Sequence, residues 1–200
     1  MSRLILLAAI AQIAVATSPL VAADRGNYPH QQSQPTQVVQ QRDGRQLLQQ
    51  GLQLYQTEQF SRSVQVLQQA AKTFQTQGDF LNQALALNYA ALAYQQLGQL
   101  PQASTAIAES LNLLQKNRVN SKEYIKVRAQ TLNNLGQIQL AEGKSEKALA
   151  SWEEATNLYA KNGDSEGEIG SKINQVQALQ ALGLYPVSYT HLTLPTKRIV

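Results

Sequence analysis

Short turn sequences recur along the chain at nearly regular spacing. Three of them are centred on Gly98, Gly143 and Gly183, and a version without glycine is centred on Glu58, so that successive turns lie 40, 45 and 40 residues apart. A repeat of this length is typical of chains made from stacked copies of one small unit, in which each copy buries its apolar face against its neighbours. The repetition therefore predicts a short repeat array.

The first three turns are each followed by the same spacing of small and bulky residues. A small residue comes five positions after the centre of the turn, a bulky one four positions later, and a second small one after three more. This spacing falls on one face of a helix. Because two antiparallel helices approach closely only where small side chains meet, the pattern predicts tightly packed helix pairs. In the order small, bulky, small, the residues are Ser63, Leu67, Ala70; Ala103, Ile107, Ser110; and Ala148, Trp152, Ala155.

The segments that precede the turns carry small residues of their own, namely Gly51, Ala91 and Gly136. We therefore predict that residues 44–184 form seven antiparallel helices without a sheet, an all-α solenoid of helix pairs with about three and a half repeats. The fourth unit has only its first helix. Its apolar residues should lie against a second helix that the sequence does not encode, so the chain should fray or self-associate there. These residues are Ile173, Val176, Leu179 and Leu182.

This pattern resembles the tetratricopeptide repeat, and the resemblance covers residues 44–184. The spacing exceeds the ~34 residues usual in that family, with the additional residues placed between units. The resemblance implies helix pairs whose first helices line a concave groove that binds peptides or proteins. The matching residues are Gly51, Phe60, Ser63 and Ala70; Leu87, Ala91, Tyr94, Gly98, Ala103 and Ser110; Leu132, Gly136, Gly143, Ala148 and Ala155; and Ile173, Val176, Leu179 and Gly183.

A looser resemblance is to exported cyanobacterial tetratricopeptide proteins, many of which carry a caspase-like peptidase domain of the CHAT type downstream. It rests on the N-terminal leader, the Gln-rich start, and the amino-acid sequences of segments such as 74–79 and 178–183. The resemblance implies that the chain is the non-catalytic N-terminal arm of such a peptidase. The peptidase domain needs a His and a Cys, and no residue of this sequence matches either one.

Both ends of the chain differ from the repeats. Residues 1–23 have the pattern of a signal peptide, which predicts export to the periplasm or the cell exterior; an uncleaved membrane anchor is the alternative. Residues 24–43 are polar and Gln-rich, which predicts a disordered linker. Residues 185–200 lack helical periodicity and resemble a string found at the ends of unrelated open reading frames in sequence assemblies. We interpret them as a non-native tail, with a genuine extension or edge strand as the alternative.

The sequence offers little for catalysis, for metal binding or for a cofactor. It has no cysteine, and both histidines, His30 and His191, lie outside the repeats. The segment 143–145 lacks the upstream glycine of a phosphate-binding loop, and the acidic segment 162–168 lacks the spacing of a calcium loop. The net charge of +4 falls nearly to zero without the leader and the tail, which gives no indication of nucleic-acid binding. We predict no catalytic, cofactor or metal site, and a protein that is not an enzyme.

Amide side chains dominate the predicted groove positions of the first helices. Asn and Gln can pair with the backbone of an extended or helical peptide without requiring charge, although the same residues would also suit a plain soluble surface. The loose basic group between Lys116 and Arg128 is the alternative contact surface. We predict a protein or peptide partner, and neither nucleic acid nor a stable membrane span after the leader is cleaved. A self-associating structural protein of the cell envelope is a further alternative. The predicted groove residues are Gln49, Tyr55, Asn88, Gln95, Asn133, Asn134, Gln137, Asn174 and Gln177.

Overall fold

A computed structural model describes residues 35–184 of the chain, with side chains from residue 44 onward. The predicted signal peptide and tail lie outside these residues. The described part consists of seven α-helices joined by short turns, and it contains no strand. In chain order the helices are α1 (Pro35–Gln56), α2 (Phe60–Gln77), α3 (Phe80–Gln96), α4 (Leu100–Lys116), α5 (Lys122–Ala141), α6 (Ser145–Asn162) and α7 (Ser165–Ala181).

Consecutive helices pack side by side, which confirms the prediction of an all-α array of helix pairs. The first helices of successive pairs also contact one another, since α3 lies against both α1 and α5, and α5 against α7. Within residues 35–184 the second helices α2, α4 and α6 make no contact with one another. The first helices therefore form a continuous inner layer, while the second helices stand apart on the outside, as in an α-solenoid.

The four predicted repeat turns share one backbone geometry. Gly98, Gly143 and Gly183 have φ angles of 72°, 76° and 72°, and Glu58 has a φ angle of 58°. In each turn the amide of the next residue donates to a carbonyl five residues back, for example from Gln99 to Tyr94 at 2.9 Å. Such a left-handed residue ends a helix and satisfies its last carbonyl groups. The recurring glycines thus mark where each first helix stops.

Small residues bring the two helices of each pair into close contact, as predicted. A Cβ atom added at Gly136 would lie 2.6 Å from the Trp152 ring, and one added at Gly51 would lie 2.6 Å from Leu67. Ser63 Oγ also donates to the Gly51 carbonyl at 2.8 Å, which ties the two helices together without a gap. The bulky residues predicted to fill the interface, Leu67, Ile107 and Trp152, are fully buried.

Helix lengths account for most of the additional residues in each repeat. The links after α2 and α6 are only two residues long, 78–79 and 163–164, whereas the link after α4 spans 117–121. The helices themselves have 17 residues or more. The first of them, α1, begins at Pro35, inside the segment 24–43 that we predicted to be a disordered linker.

Candidate peptide-binding surface

The inner layer carries a band of sequence without charged side chains. It covers the C-terminal half of α1, the whole of α3, and the C-terminal parts of α5 and α7, where residues 46–57, 80–96, 129–141 and 173–184 contain no Asp, Glu, Lys or Arg. The second helices, in contrast, each carry charged residues. An uncharged surface favours ligands that it contacts through apolar groups and neutral hydrogen bonds.

Residues at equal distance from the left-handed turn residue hold equivalent positions in the four inner helices, which lie side by side in chain order, and we describe each such set as a row. Gln137 and Gln177 lie six residues before their turns, in the same row as Leu52 and Leu92. None of these four is buried. The row therefore changes from leucine on α1 and α3 to glutamine on α5 and α7. The two leucines were missed in the sequence analysis, although their distance from the turn could have identified them.

A second row runs three residues before the turns. It holds the predicted groove residues Tyr55 and Gln95, followed by Leu140 and Gln180. Tyr55 and Gln95 are partly buried, and the Gln95 Oε1 atom is buried without a hydrogen-bond partner. An unpaired carbonyl oxygen is an acceptor that a ligand N–H group could satisfy.

Asparagine side chains connect neighbouring inner helices through a repeated hydrogen bond. Asn134 Nδ2 of α5 donates to Asn88 Oδ1 of α3 at 2.9 Å, and Asn174 Nδ2 of α7 donates to Asn133 Oδ1 of α5 at 3.0 Å. In both bonds the donor lies nine residues and the acceptor ten residues before the turn residue of its unit. We call this pair of bonds the asparagine ladder. It uses four of the nine predicted groove residues to hold the inner layer together.

The ladder changes the role of one predicted contact residue. Asn88 is only 1% exposed, so its side chain has no surface to offer to a ligand and serves helix packing instead. Asn133 is also engaged, because its Oδ1 accepts from Ser171 Oγ at 3.1 Å and its backbone carbonyl accepts from Trp152 Nε1 at 2.9 Å. The predicted residues that remain outside the ladder are Gln49, Tyr55, Gln95, Gln137 and Gln177, of which Gln49 and Gln177 are exposed.

Two tyrosines give the α1–α3 end of the inner layer an aromatic character. Burial raises the pKa of the Tyr55 phenol, an effect that the Gln96 side chain partly opposes through a hydrogen bond. Burial, together with the proximity of Tyr55, also raises the pKa of the Tyr89 phenol. Tyr55 also makes an edge-on contact with Phe60 at a ring-centroid distance of 5.4 Å. Both phenols therefore stay neutral across the physiological pH range, which keeps this end uncharged.

The C-terminal parts of the inner helices carry no charged residue themselves, but Glu58 follows α1, and Glu142, which pairs with Lys144, directly follows α5. Arg128, in the second turn of α5, pairs with Glu154 of α6, and Lys172 pairs with Glu168 within α7. The basic group that we weighed as an alternative contact surface surrounds the link between α4 and α5, where Lys116, Arg118 and Lys122 are exposed. Its other members, Lys126 and Arg128, lie on the inner helix α5, so the group extends from this link onto the N-terminal part of α5.

The outer side of the molecule holds two adjoining clefts of about 300 and 260 Å³. They lie between α2 and α4, with α3 as their floor, and share Gln68, Leu87 and Glu109 as lining residues. Gln68 Nε2 donates to the Tyr94 hydroxyl at 2.8 Å across the first cleft. None of the nine predicted groove residues lines either cleft. The cleft is therefore a second candidate surface, with Lys72 and Glu109 at its rim.

No known protein-family model matches the chain, and no curated protein matches it in sequence. Within the described residues, no three His, Cys, Asp or Glu side chains are grouped closely enough to hold a metal ion. The same part of the chain contains no helix that is both long and apolar enough to cross a membrane.

Proposed function

We propose that this protein is an exported, non-catalytic scaffold of the tetratricopeptide type that binds a segment of another protein along its inner layer. The observation that carries the proposal is the uncharged band shared by the four inner helices, with its rows of leucine, tyrosine and amide side chains. Such a surface suits a peptide that brings apolar side chains and backbone amides, because Gln and Asn supply both a donor and an acceptor.

The row six residues before the turns also gives the ligand a direction. In this row Leu52 and Leu92 are apolar on α1 and α3, whereas Gln137 and Gln177 are polar on α5 and α7. A bound segment would therefore place its apolar or aromatic residues against α1 and α3, and a more polar stretch against α5 and α7. Export is the part of the proposal that rests on the leader sequence alone.

The proposal can be tested with peptides selected from a random 12-residue display library on the immobilised full-length chain. We expect Leu92→Ala and Gln137→Ala to weaken binding of a fluorescein-labelled selected peptide about three- to tenfold each, since each removes a contact of about 1 kcal/mol. Gln102→Ala, which changes an exposed amide at the outer cleft, is the matched control and should leave the dissociation constant unchanged.

Salt dependence gives an independent readout of the same proposal. Binding to an uncharged surface should change by less than about twofold between low and moderate salt, because screening acts only on charges. A steep loss of affinity with salt would assign the contact to the basic group at Lys116–Arg128. Selected peptides that respond only to Gln102→Ala would assign it to the outer cleft, and either result would overturn the proposal.

A further inference from the structure

The last described helix, α7, exposes an apolar stripe. Ile169, Ile173 and Val176 are 59%, 51% and 39% exposed. Their spacing of four and then three residues places them on one side of the helix, and Gln180 continues the same heptad spacing. Within α7 only Ser171 and Ala178 are buried. A stripe of this kind is the surface by which a helix packs against another helix.

The complete pairs indicate what faces this side of an inner helix. The positions fourteen and seven residues before the turn residue are Gly44 and Gly51 in α1, and their backbones pack against Phe74 and Leu67 of α2. The equivalent residues of α3 and α5 are all Gly or Ala and are all buried; they are Ala84, Ala91, Ala129 and Gly136. In α7 the same two positions are Ile169 and Val176. The stripe therefore continues an interface that is occupied by a helix in each complete pair.

The side chains of the stripe differ from those of the complete pairs in one informative way. Gly and Ala allow α2, α4 and α6 to approach closely, whereas Ile169 and Val176 would hold a helix farther away. β-Branched residues at heptad spacing are typical of the seam of a coiled coil, in which equivalent ridges of two helices interlock at such a wider distance. The stripe is thus suited to a helix that carries a similar ridge of large apolar residues.

The charges of α7 favour an antiparallel orientation for such a partner. Glu166 and Glu168 lie in the first turn, and residues 173–184 carry no charge. A parallel copy would bring acidic first turns together, which is unfavourable. An antiparallel copy centred on Ile173 would instead set Glu166 beside the neutral Gln180 of the second copy. The two helix dipoles would also oppose each other in that arrangement.

We propose that α7 pairs with α7 of a second copy of this chain, antiparallel and with the two-fold axis beside Ile173. The interface would be isologous, with the same stripe on both sides. It would join two solenoids through their α7 helices, so that both inner layers belong to one dimer. This inference does not rest on the proposed peptide binding, because it is argued from the side of α7 that faces the second helix in the complete pairs and not from the groove row that contains Gln177. An interface of one helix pair is small, so the dimer should dissociate on dilution.

The full-length chain contains no cysteine, so single cysteine variants report the pairing directly. Under mild oxidation Ile173→Cys should form a disulfide-linked dimer, because residue 173 faces its own copy across the axis. Gln180→Cys should not, because residue 180 lies opposite residue 166 of the second copy. Gln65→Cys, on the exposed side of α2, measures the background rate of random collision. We expect Ile173→Cys to cross-link at least about tenfold faster than either control.

Sedimentation equilibrium of the unmodified full chain provides the second readout. The weight-average mass should rise with concentration from 22.0 kDa towards twice that value, and Ile173→Lys should keep it at the monomer mass. Circular dichroism should give equal helix content for both proteins, since Ile173 is exposed. Equal cross-linking of Ile173→Cys and Gln180→Cys would indicate a parallel pair, and cross-linking at the background rate would indicate no pair. A monomer that dimerises only after removal of residues 185–200 would show that these residues cover the stripe. Each of the three results would overturn the proposal.

Discussion

Individual residues at the turns determine where the helices of this chain end. Glu58 is the one residue other than glycine with a positive φ angle in residues 35–184, and it occupies the position that glycine holds in the later turns. A side chain with a Cβ atom is strained in the left-handed region, by roughly 1–2 kcal/mol. The glutamate that replaces glycine at this turn therefore destabilises the connection between α1 and α2.

Replacing Glu58 by glycine should stabilise the protein by about 0.5–1 kcal/mol, because relief of the strain exceeds the additional backbone entropy of glycine. Urea unfolding followed by circular dichroism measures the change. The reverse substitution at an equivalent turn, Gly98→Ala, should destabilise by about 1 kcal/mol, since a Cβ atom there meets no neighbour and only the φ angle of 72° is unfavourable. Equal midpoints for Glu58→Gly and the unmodified protein would contradict this account.

Tyr159 gives the protein a defined response to alkaline pH. Burial, with a smaller contribution from nearby Asp164, raises the pKa of its phenol well above the ordinary value of 10.0. The folded state therefore favours the neutral phenol, and the resulting stability is fully present below about pH 10 and lost as the pH rises towards the raised folded pKa. We expect the free energy of unfolding to fall above pH 10 less steeply in Tyr159→Phe than in the unmodified protein.

The phenylalanine variant keeps the ring that packs against Gly167, so its stability at pH 7 serves as the control for packing. Urea midpoints of the two proteins should be compared between pH 8 and pH 11. This range spans the ordinary phenol pKa of 10.0, above which the contribution of Tyr159 begins to be lost. Parallel pH profiles for the two proteins would show that Tyr159 is not the group responsible.

At the scale of the helices, contact between first and second helices depends on where glycine and alanine lie. Gly136 and Gly170 are both inside inner helices, yet they have opposite surroundings. A Cβ atom at Gly136 would lie 2.6 Å from the buried Trp152 ring, which is held by its hydrogen bond to Asn133, whereas one at Gly170 would meet nothing within 4 Å. Sequence spacing predicted the first of these contacts, because the small residue and the bulky residue keep fixed distances from the turn.

The two glycines make a matched test of that interpretation. Gly136→Ala should destabilise by about 1–3 kcal/mol, because overpacking against Trp152 outweighs the gain in helix propensity. Gly170→Ala should instead stabilise by up to about 1 kcal/mol, since only the helix propensity changes. Thermal or urea unfolding of both variants gives the answer, and a stabilising Gly136→Ala would show that the helices are not in the close contact described here.

The asparagine ladder is a feature of the inner layer that the sequence did not predict. Its bonds join residues 46 and 41 positions apart, and whether two such side chains meet depends on the length and rotation of the helices between them. The residue types were recognised as groove candidates, but Asn88 proved to be buried. The sequence analysis selected amide side chains as groove candidates and so did not include Leu52 and Leu92. Their distance from the turn residue would have identified both.

At the scale of the whole molecule, the array is a chain of neighbour contacts, and among the helices of residues 35–184 α7 contacts only α6 and α5. The stability of such an array varies along its length, and an end with few buried residues opens first. Only Ser171 and Ala178 of α7 are buried, compared with six residues of α6. The turns predicted the repeat pattern and the incomplete fourth unit, whereas the exposures of Ile169, Ile173 and Val176 follow from the three-dimensional packing.

Native-state hydrogen exchange should therefore show the amides of Ser165–Ala181 exchanging faster than those of α3 to α6, measured at low micromolar concentration, where the proposed pair is dissociated. Asn133→Ala should remove the remaining protection of α7, because Ser171 and Asn174 both lose their acceptor on α5. The amides of α1 and α2, helices that do not contact α5, are the internal control. Unchanged protection of α7 in Asn133→Ala would show that the ladder does not hold it.

The central claim is that the inner layer, and not the outer side, is the surface that this protein offers to its partners. Mapping a selected library peptide onto the backbone amides by nuclear magnetic resonance tests it most directly. We expect the largest chemical-shift changes in the uncharged band, at residues 46–57, 80–96, 129–141 and 173–184. Changes concentrated on the outer cleft, at residues 68–75 and 101–109, with the inner amides of α1, α5 and α7 unmoved, would contradict it.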